Sequence, residues 1–219
     1  MLVTNIEPQK QHPKRVNVYL DDTFAFGLHV DVLAAIRLHK GDHVSKEYIN
    51  NILVKEEFNL AKQHSLRYLS YRRRSEKELR TKLLEKEFDP STVDSVITHL
   101  QETGYINDTE FSKAFVHDTQ LRKPSGRKLL QQKLRLKGIA TDVITSILNE
   151  EVSEENEKTL ALEEARKVIK RFTTSRKAVE QQKQQQRLAQ HLARRGFSWA
   201  IIIPVIKEVF SAHASGGTS

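Results

Sequence analysis

The sequence predicts a mainly α protein: three tandem three-helix repeats, preceded by a small N-terminal β-hairpin plus helix cap. Three observations predict it. Apolar residues alternate with period two only before residue 30. From residue 59 onward the apolar spacing is helical and is interrupted by capping residues and glycine stops. An apolar set also recurs: Leu79, Leu83, Phe88 and Ile97 return 51 positions later as Leu130, Leu134, Ile139 and Leu148, and 58 further on as Leu188, Leu192, Phe197 and Ile206.

The elements follow in order. Val16, Val18 and Leu20 alternate with polar neighbours, Asp21-Asp22 supplies a turn, and Phe24, Phe26 and Leu28 alternate again. Leu2–Ile6 adds a third strand. Asp31 is expected to cap a short helix from Val32 to Leu38, ended by Lys40-Gly41-Asp42. Ser45 caps a long helix running toward Tyr71. Ser75-x-x-Glu78 and Asn107-x-x-Glu110 are capping boxes, in which side chains at the helix start satisfy its orphan amides. Asp89-Pro90 pairs an N-cap with proline at the first helical position. Lys123-Pro124-Ser125-Gly126 breaks one helix and caps the next. Gly138 and Gly196 end helices in the left-handed conformation that glycine adopts without steric cost.

The preceding helix of each repeat is expected near 59–73, 109–122 and 157–172. The domain boundaries are then 1–58 for the cap, 59–104, 105–156 and 157–210 for the repeats, and 211–219 for a disordered tail. The glutamine run Gln181–Gln186 is a solvated extension of a helix. Pro204, six residues past the expected cap Ser198, should kink or shorten the last helix.

Composition narrows the function. Cysteine is absent, which excludes disulfides and thiolate-bound zinc. No apolar run reaches the roughly 18–20 residues of a membrane span. The opening residues Met1–Glu7 lack the pattern of a signal peptide, so a cytoplasmic protein is expected. Neither GxxxxGK[ST] nor GxGxxG occurs, so no cofactor is expected. His39 and His43 straddle Gly41 and read as a surface loop rather than a metal site. HExxH and GxSxG are missing, and the serines sit at caps, so the reading is a non-enzyme without catalytic residues.

Net charge is +8, from 36 basic and 28 acidic residues. Residues 1–58 are close to neutral, at −1, so the basic excess lies in the helical body. Basic excess favours polyanions or an acidic protein surface. Arg72 and Arg74 are read as outward contacts, with Arg73 partly packed. Arg122, Lys123, Arg127 and Lys128 bracket a helix start, where free amides and flanking cations would seat a phosphate. Lys133, Arg135 and Lys137 extend that field, although Lys137 also suits compensation of a helix C-terminus. Lys170, Arg171, Arg176, Lys177, Arg187, Arg194 and Arg195 do the same in the third repeat. Tyr68, Tyr71 and Trp199 are too few for a base-stacking platform, so single-strand binding should be mainly electrostatic.

Four stretches together resemble the RecX family. They are Leu66–Leu79 (LRYLSYRRRSEKEL), Gly104–Phe111 (GYINDTEF), Gly126–Ile139 (GRKLLQQKLRLKGI) and Leu192–Ser198 (LARRGFS). The resemblance covers about residues 60–210, and its specificity lies in the order and spacing of the motifs. Residues 1–58 resemble the longer N-terminus of some Gram-positive members.

The resemblance implies an elongated, curved arrangement of the repeats. It implies a monomer that binds the groove of the RecA–DNA filament, with weak sequence-independent binding to single- and double-stranded DNA and no membrane. It further implies inhibition of RecA filament growth, ATPase, strand exchange and repressor cleavage in the SOS response, within DNA repair and recombination. The alternative is a helix-turn-helix-like DNA-binding protein, which would concentrate Asn, Gln or Arg on one recognition helix. Apart from the glutamine run, this sequence does not.

Overall fold

The computed structural model describes residues 1–171 and 178–215. It divides into two compact units, Met1–Ile106 and Asn107–Ser219.

The first unit opens with an antiparallel sheet of β1 (Val3–Pro8), β2 (Arg15–Leu20) and β3 (Thr23–His29), in the order β1-β2-β3. Both hairpin-turn residues have positive φ, 45° at Asp21 and 63° at Asp22. Such a turn matches the twist of the strands it joins, and aspartate tolerates it better than most residues. The Asp21 carboxylate also accepts a bond from the Leu2 amide at 2.9 Å, which ties β1 to the turn. Val16, Val18 and Leu20 are buried, as the alternation predicts. Phe24 departs from it, lying 60% exposed with its ring edge-on to Tyr19. A register shift between Val18 and Tyr19 sets the end of the hairpin apart from the regular alternation.

Helix α1 spans Val30–Ile36, two residues earlier than expected. His29, not Asp31, is its N-cap: the ring Nδ1 accepts from the Asp31 amide at 3.2 Å. Arg37 ends the helix in the left-handed region at φ 52°, and Leu38 is buried beyond it.

Helix α2 runs unbroken from Lys46 to Tyr71 with Ser45 as N-cap. It crosses residue 58, so the cap and the first repeat share one strut. Glu56 and Glu57 show how. The buried Glu56 carboxylate accepts from the His29 amide and pairs with Arg15 at 2.8 Å, holding the sheet. Glu57 accepts from the Asp89 amide and the Thr92 hydroxyl, holding the start of α4. Helices α3 (Glu76–Leu84) and α4 (Pro90–Glu102) complete the first repeat. Ser75 and Asp89 cap them as expected.

The second unit contains α5 (Asp108–Arg122), α6 (Arg127–Leu136) and α7 (Thr141–Glu151), then α8 (Glu154–Ile169), α9 (Ala178–Arg194) and α10 (Trp199–Ser215). The glutamine run lies in α9 and is exposed apart from Gln184. Pro204 neither ends nor shortens α10, which continues through Ser215. The helix therefore occupies the first five residues of the expected tail. The final four residues lie outside the described ones.

Four separate hydrophobic cores are present among the described residues, one for the cap and one for each three-helix set. Every member of the recurring apolar set is buried or packed at the margin of its core. Its backbone recurs too. Phe88, Ile139 and Phe197 each donate to a carbonyl five residues back, at 3.4, 3.1 and 3.2 Å. This bond closes a helix end around a left-handed residue. Gly138 (φ 85°) and Gly196 (φ 83°) fill that position in two copies, whereas Glu87 (φ 62°) fills it in the first.

Gly196 has a second task. The N-terminus of α6 meets the C-terminal turn of α9 at backbone contact. A Cβ on Gly126 would lie 2.3 Å from Gly196 backbone atoms, and one on Gly196 would lie 2.4 Å from Leu129. The amides of Gly126 and Lys128 donate across this contact to the carbonyls of Arg195 (2.8 Å) and Gly196 (3.2 Å).

Two predictions follow from these turns. Replacing Glu87 with glycine removes the left-handed penalty at some cost in unfolded-state entropy, and should stabilise the protein by about 0.5–1 kcal/mol. An unchanged or lower thermal midpoint would count against it. Gly196→Ala should cost more than Gly104→Ala, by at least about 1 kcal/mol in denaturant titrations. Both sites have positive φ, but Gly104 has nothing within 4 Å of the added methyl. Equal losses would mean that the α6–α9 approach is not tight.

Candidate functional site

The expected phosphate seat at the start of α6 is already filled. Gly126 offers no capping side chain. Instead the buried Glu157 carboxylate, from α8, accepts from the Arg127 amide at 2.9 Å. The Ser125 amide donates to Gln120 at 2.8 Å, and the amides of Gly126 and Lys128 go to α9. The positive helix end is therefore neutralised by an internal anion. No amide from residues 125–128 remains for a ligand.

Arg127 turns inward as well. Its guanidinium donates to the carbonyls of Leu148 (2.9 Å) and Val152 (2.7 Å) and to the Asn149 side chain, closing the end of α7. Arg195 is similarly committed. It donates to the Pro124 carbonyl and lies 3.8 Å from Glu164, which also bonds His191 at 2.9 Å. Arg127 thus ties α6 to α7 within the second repeat, and Arg195 ties the third repeat to the second.

In the first repeat the expected roles of two arginines are reversed. Arg73 is exposed, while Arg74 is half-buried, 5.4 Å from the Tyr68 ring centre and bonded to its carbonyl. Arg72 makes a two-point contact with Glu78, at 2.8 and 3.2 Å. Lys128, Arg135, Lys170, Arg171, Arg187 and Arg194 are exposed. Arg176 and Lys177 lie outside the described residues.

Three of the expected cations do converge. Arg122 ends α5, Lys123 is its C-cap, and Lys133 faces them from α6. With Lys137 they line a groove of about 550 Å³, whose remaining walls are Phe115, Thr119 and Leu136. None of these lining residues is acidic. Among the described residues, no carboxylate pairs with Arg122, Lys123 or Lys133 within 4.0 Å. Burial, together with the charges of Arg195 and Lys123, holds the Lys133 amine below the usual lysine range. A bound anion would relieve this strain, because it favours the ammonium form that its surroundings disfavour.

Phe115, Thr119 and Leu136 were not foreseen as part of a site. A signal existed: Phe115, Thr119 and Arg122 follow helical spacing on α5, as Lys133, Leu136 and Lys137 do on α6. Such spacing more often marks a core face, and the intervening turn hides which two faces meet.

Lysine-resolved NMR titration should find the Lys133 midpoint below that of an ordinary lysine. Lys123→Ala should move it upward. A midpoint that ignores Lys123 would place the two charges too far apart to interact.

Comparison with known proteins identifies the family. The model for the N-terminal domain of regulatory protein RecX matches residues 1–45. Models for the first, second and third RecX three-helix domains match 61–100, 107–148 and 159–206. Regulatory protein RecX of Bacillus pumilus is 33% identical over 208 residues, covering 95% of this chain and 77% of that one. Its counterpart in Clostridium acetobutylicum is 30% identical, covering 95% and 96%. A crystal structure of regulatory protein RecX is 28% identical with a TM-score of 0.77, covering 94% of this chain and 98% of that chain. RecX from Lactobacillus salivarius, 24% identical with a TM-score of 0.63 over 70% of this chain and 97% of that one, shares the fold. With its sheet domain and all three helical domains matched in order, the chain belongs to the RecX family of regulatory proteins.

Proposed function

We propose that the chain regulates the RecA recombinase by binding the RecA–DNA filament and inhibiting its ATPase, strand exchange and the repressor cleavage of the SOS response. Family membership supports a regulatory rather than an enzymatic role. The observation that carries the contact assignment is the groove of Arg122, Lys123, Lys133 and Lys137, which has no acidic lining residue. Arg122, Lys123 and Lys133, which no carboxylate among the described residues pairs within 4.0 Å, retain their attraction for an external anion, whereas Arg72, Arg127 and Arg195 spend theirs inside the fold.

The physical account is conformational. A filament that hydrolyses ATP cycles between geometries, and a ligand that binds one geometry better shifts the population toward it. The ligand can shift that balance only by its difference in affinity for the two states, so the contact must be sensitive to filament geometry. Other exposed cations, including Lys128, Arg135, Lys170, Arg171, Arg187 and Arg194, extend the positive surface and supply weak, sequence-independent DNA binding. The reading places the chain in the cytoplasm, where the filament forms.

The test is RecA ATPase activity on single-stranded DNA with increasing amounts of the protein. Wild type should inhibit at substoichiometric amounts. The Arg122→Ala/Lys123→Ala/Lys133→Ala variant should need at least about tenfold more protein, with an unchanged circular-dichroism melt. Arg127 stays in place because its removal would release the end of α7. Full inhibition by the variant would discard this groove as the contact. Absence of inhibition by wild type would discard the function.

A further inference from the structure

Among the four cations of the groove lies an apolar surface that electrostatics alone does not require. Leu136 is 71% exposed, and Leu121, beside Arg122 at the end of α5, is 73% exposed. Phe115 forms part of the wall and stacks on Phe111, with ring centres 6.0 Å apart. Single exposed apolar residues are ordinary on protein surfaces. Here, however, Leu136 and Phe115 line a concavity of about 550 Å³ together with Lys123 and Lys133. That volume falls within the range that receives several side chains of a ligand.

Two polyanions could enter such a site. A nucleic-acid backbone presents phosphates separated by sugars, and it gains little from an aliphatic leucine. Its bases favour flat rings with an open face, but the one ring here already stacks on a neighbour. A protein segment that alternates carboxylates with aliphatic side chains matches both halves of the lining: carboxylates for Arg122, Lys123 and Lys133, and a leucine-like side chain for Leu136 and Phe115. Partly desolvated cations interact more strongly with an anion that enters together with apolar surface, because water leaves with it.

We propose that this groove is a docking site for an acidic peptide segment of a partner protein, anchored by an aliphatic side chain between Phe115 and Leu136. The proposal rests on the reading that the groove is the regulatory contact. It narrows that contact to the protein component of the filament.

The test uses the full chain and no recombinase, so its outcome is separate from the ATPase assay. Fluorescence anisotropy would follow a labelled twelve-residue peptide of Asp and Glu carrying two leucines, a sister peptide with serine at both positions, and an oligo(dT) of twelve nucleotides. Wild type should bind the leucine peptide at least about tenfold more tightly than the serine peptide, the gain expected from burying one aliphatic side chain. Leu136→Ser, a change at an exposed position, should erase that difference while leaving oligo(dT) binding unaltered. Lys133→Ala should weaken both peptides. Equal binding of the two peptides by wild type would overturn the proposal. So would oligo(dT) binding that exceeds peptide binding and falls in the Leu136→Ser and Lys133→Ala variants, which would assign the groove to nucleic acid.

Discussion

The arrangement of the second unit depends on one close approach, the start of α6 against the end of α9 at Gly126 and Gly196. Helix ends carry opposite partial charges, and each leaves backbone groups without partners. Bringing the amino end of one helix onto the carboxyl end of another satisfies both at once, provided that no Cβ intervenes. Two glycines meet that condition, and the carbonyls of Arg195 and Gly196 receive the amides of Gly126 and Lys128. Glu157 takes the next amide and Arg195 reaches the Pro124 carbonyl, so the junction is braced by charged side chains from the third repeat. A buried carboxylate is costly unless its charge is compensated. The positive end of α6 supplies that compensation here.

This junction decides where external anions can be held. The start of α6 would otherwise be the natural anion site of the second repeat, but its donors are committed. The positive charge that no carboxylate among the described residues pairs lies instead at Arg122 and Lys123, at the end of α5, and at Lys133, which faces them from α6. The two halves of one basic run in the sequence therefore do different work. Arg122 and Lys123 remain available, while Arg127 closes α7 and Lys128 lies exposed on a helix whose first amides are already bonded.

That division marks the boundary of what the sequence makes legible. Capping residues act through bonds two or three positions away, so Ser45, Ser75, Asp89 and Asn107 could be read directly, and each caps its helix. The hairpin and the recurring apolar set are legible for the same reason: their periodicity is local. Helix α1 was misplaced by two residues because a histidine ring served as its cap and an arginine adopted the left-handed stop. The site was only partly legible. Whether an arginine points outward depends on carbonyls and carboxylates far along the chain: Arg195 meets Pro124 across 71 positions, and Arg127 meets Val152 across 25. A count of charges along one segment carries no trace of such partners.

The three helix-end turns show how similar geometry can serve different ends. Each closes with the same five-residue bond, so the backbone recurs although the left-handed residue does not. At Gly138 and in the third copy, glycine removes the steric penalty. In the third copy the absent side chain also admits another helix. Glu87 in the first copy is compatible with the turn but could not accept an approach of that kind, because its Cβ would fill the space. A glycine at this position leaves room for a neighbour to dock, whereas a residue that carries a Cβ does not. The third repeat uses that freedom to fix itself against the second. Arg195, the residue before that glycine, consequently lies near Lys133 and adds to the field that holds its amine below the usual range. The joint thereby contributes directly to the electrostatics of the groove.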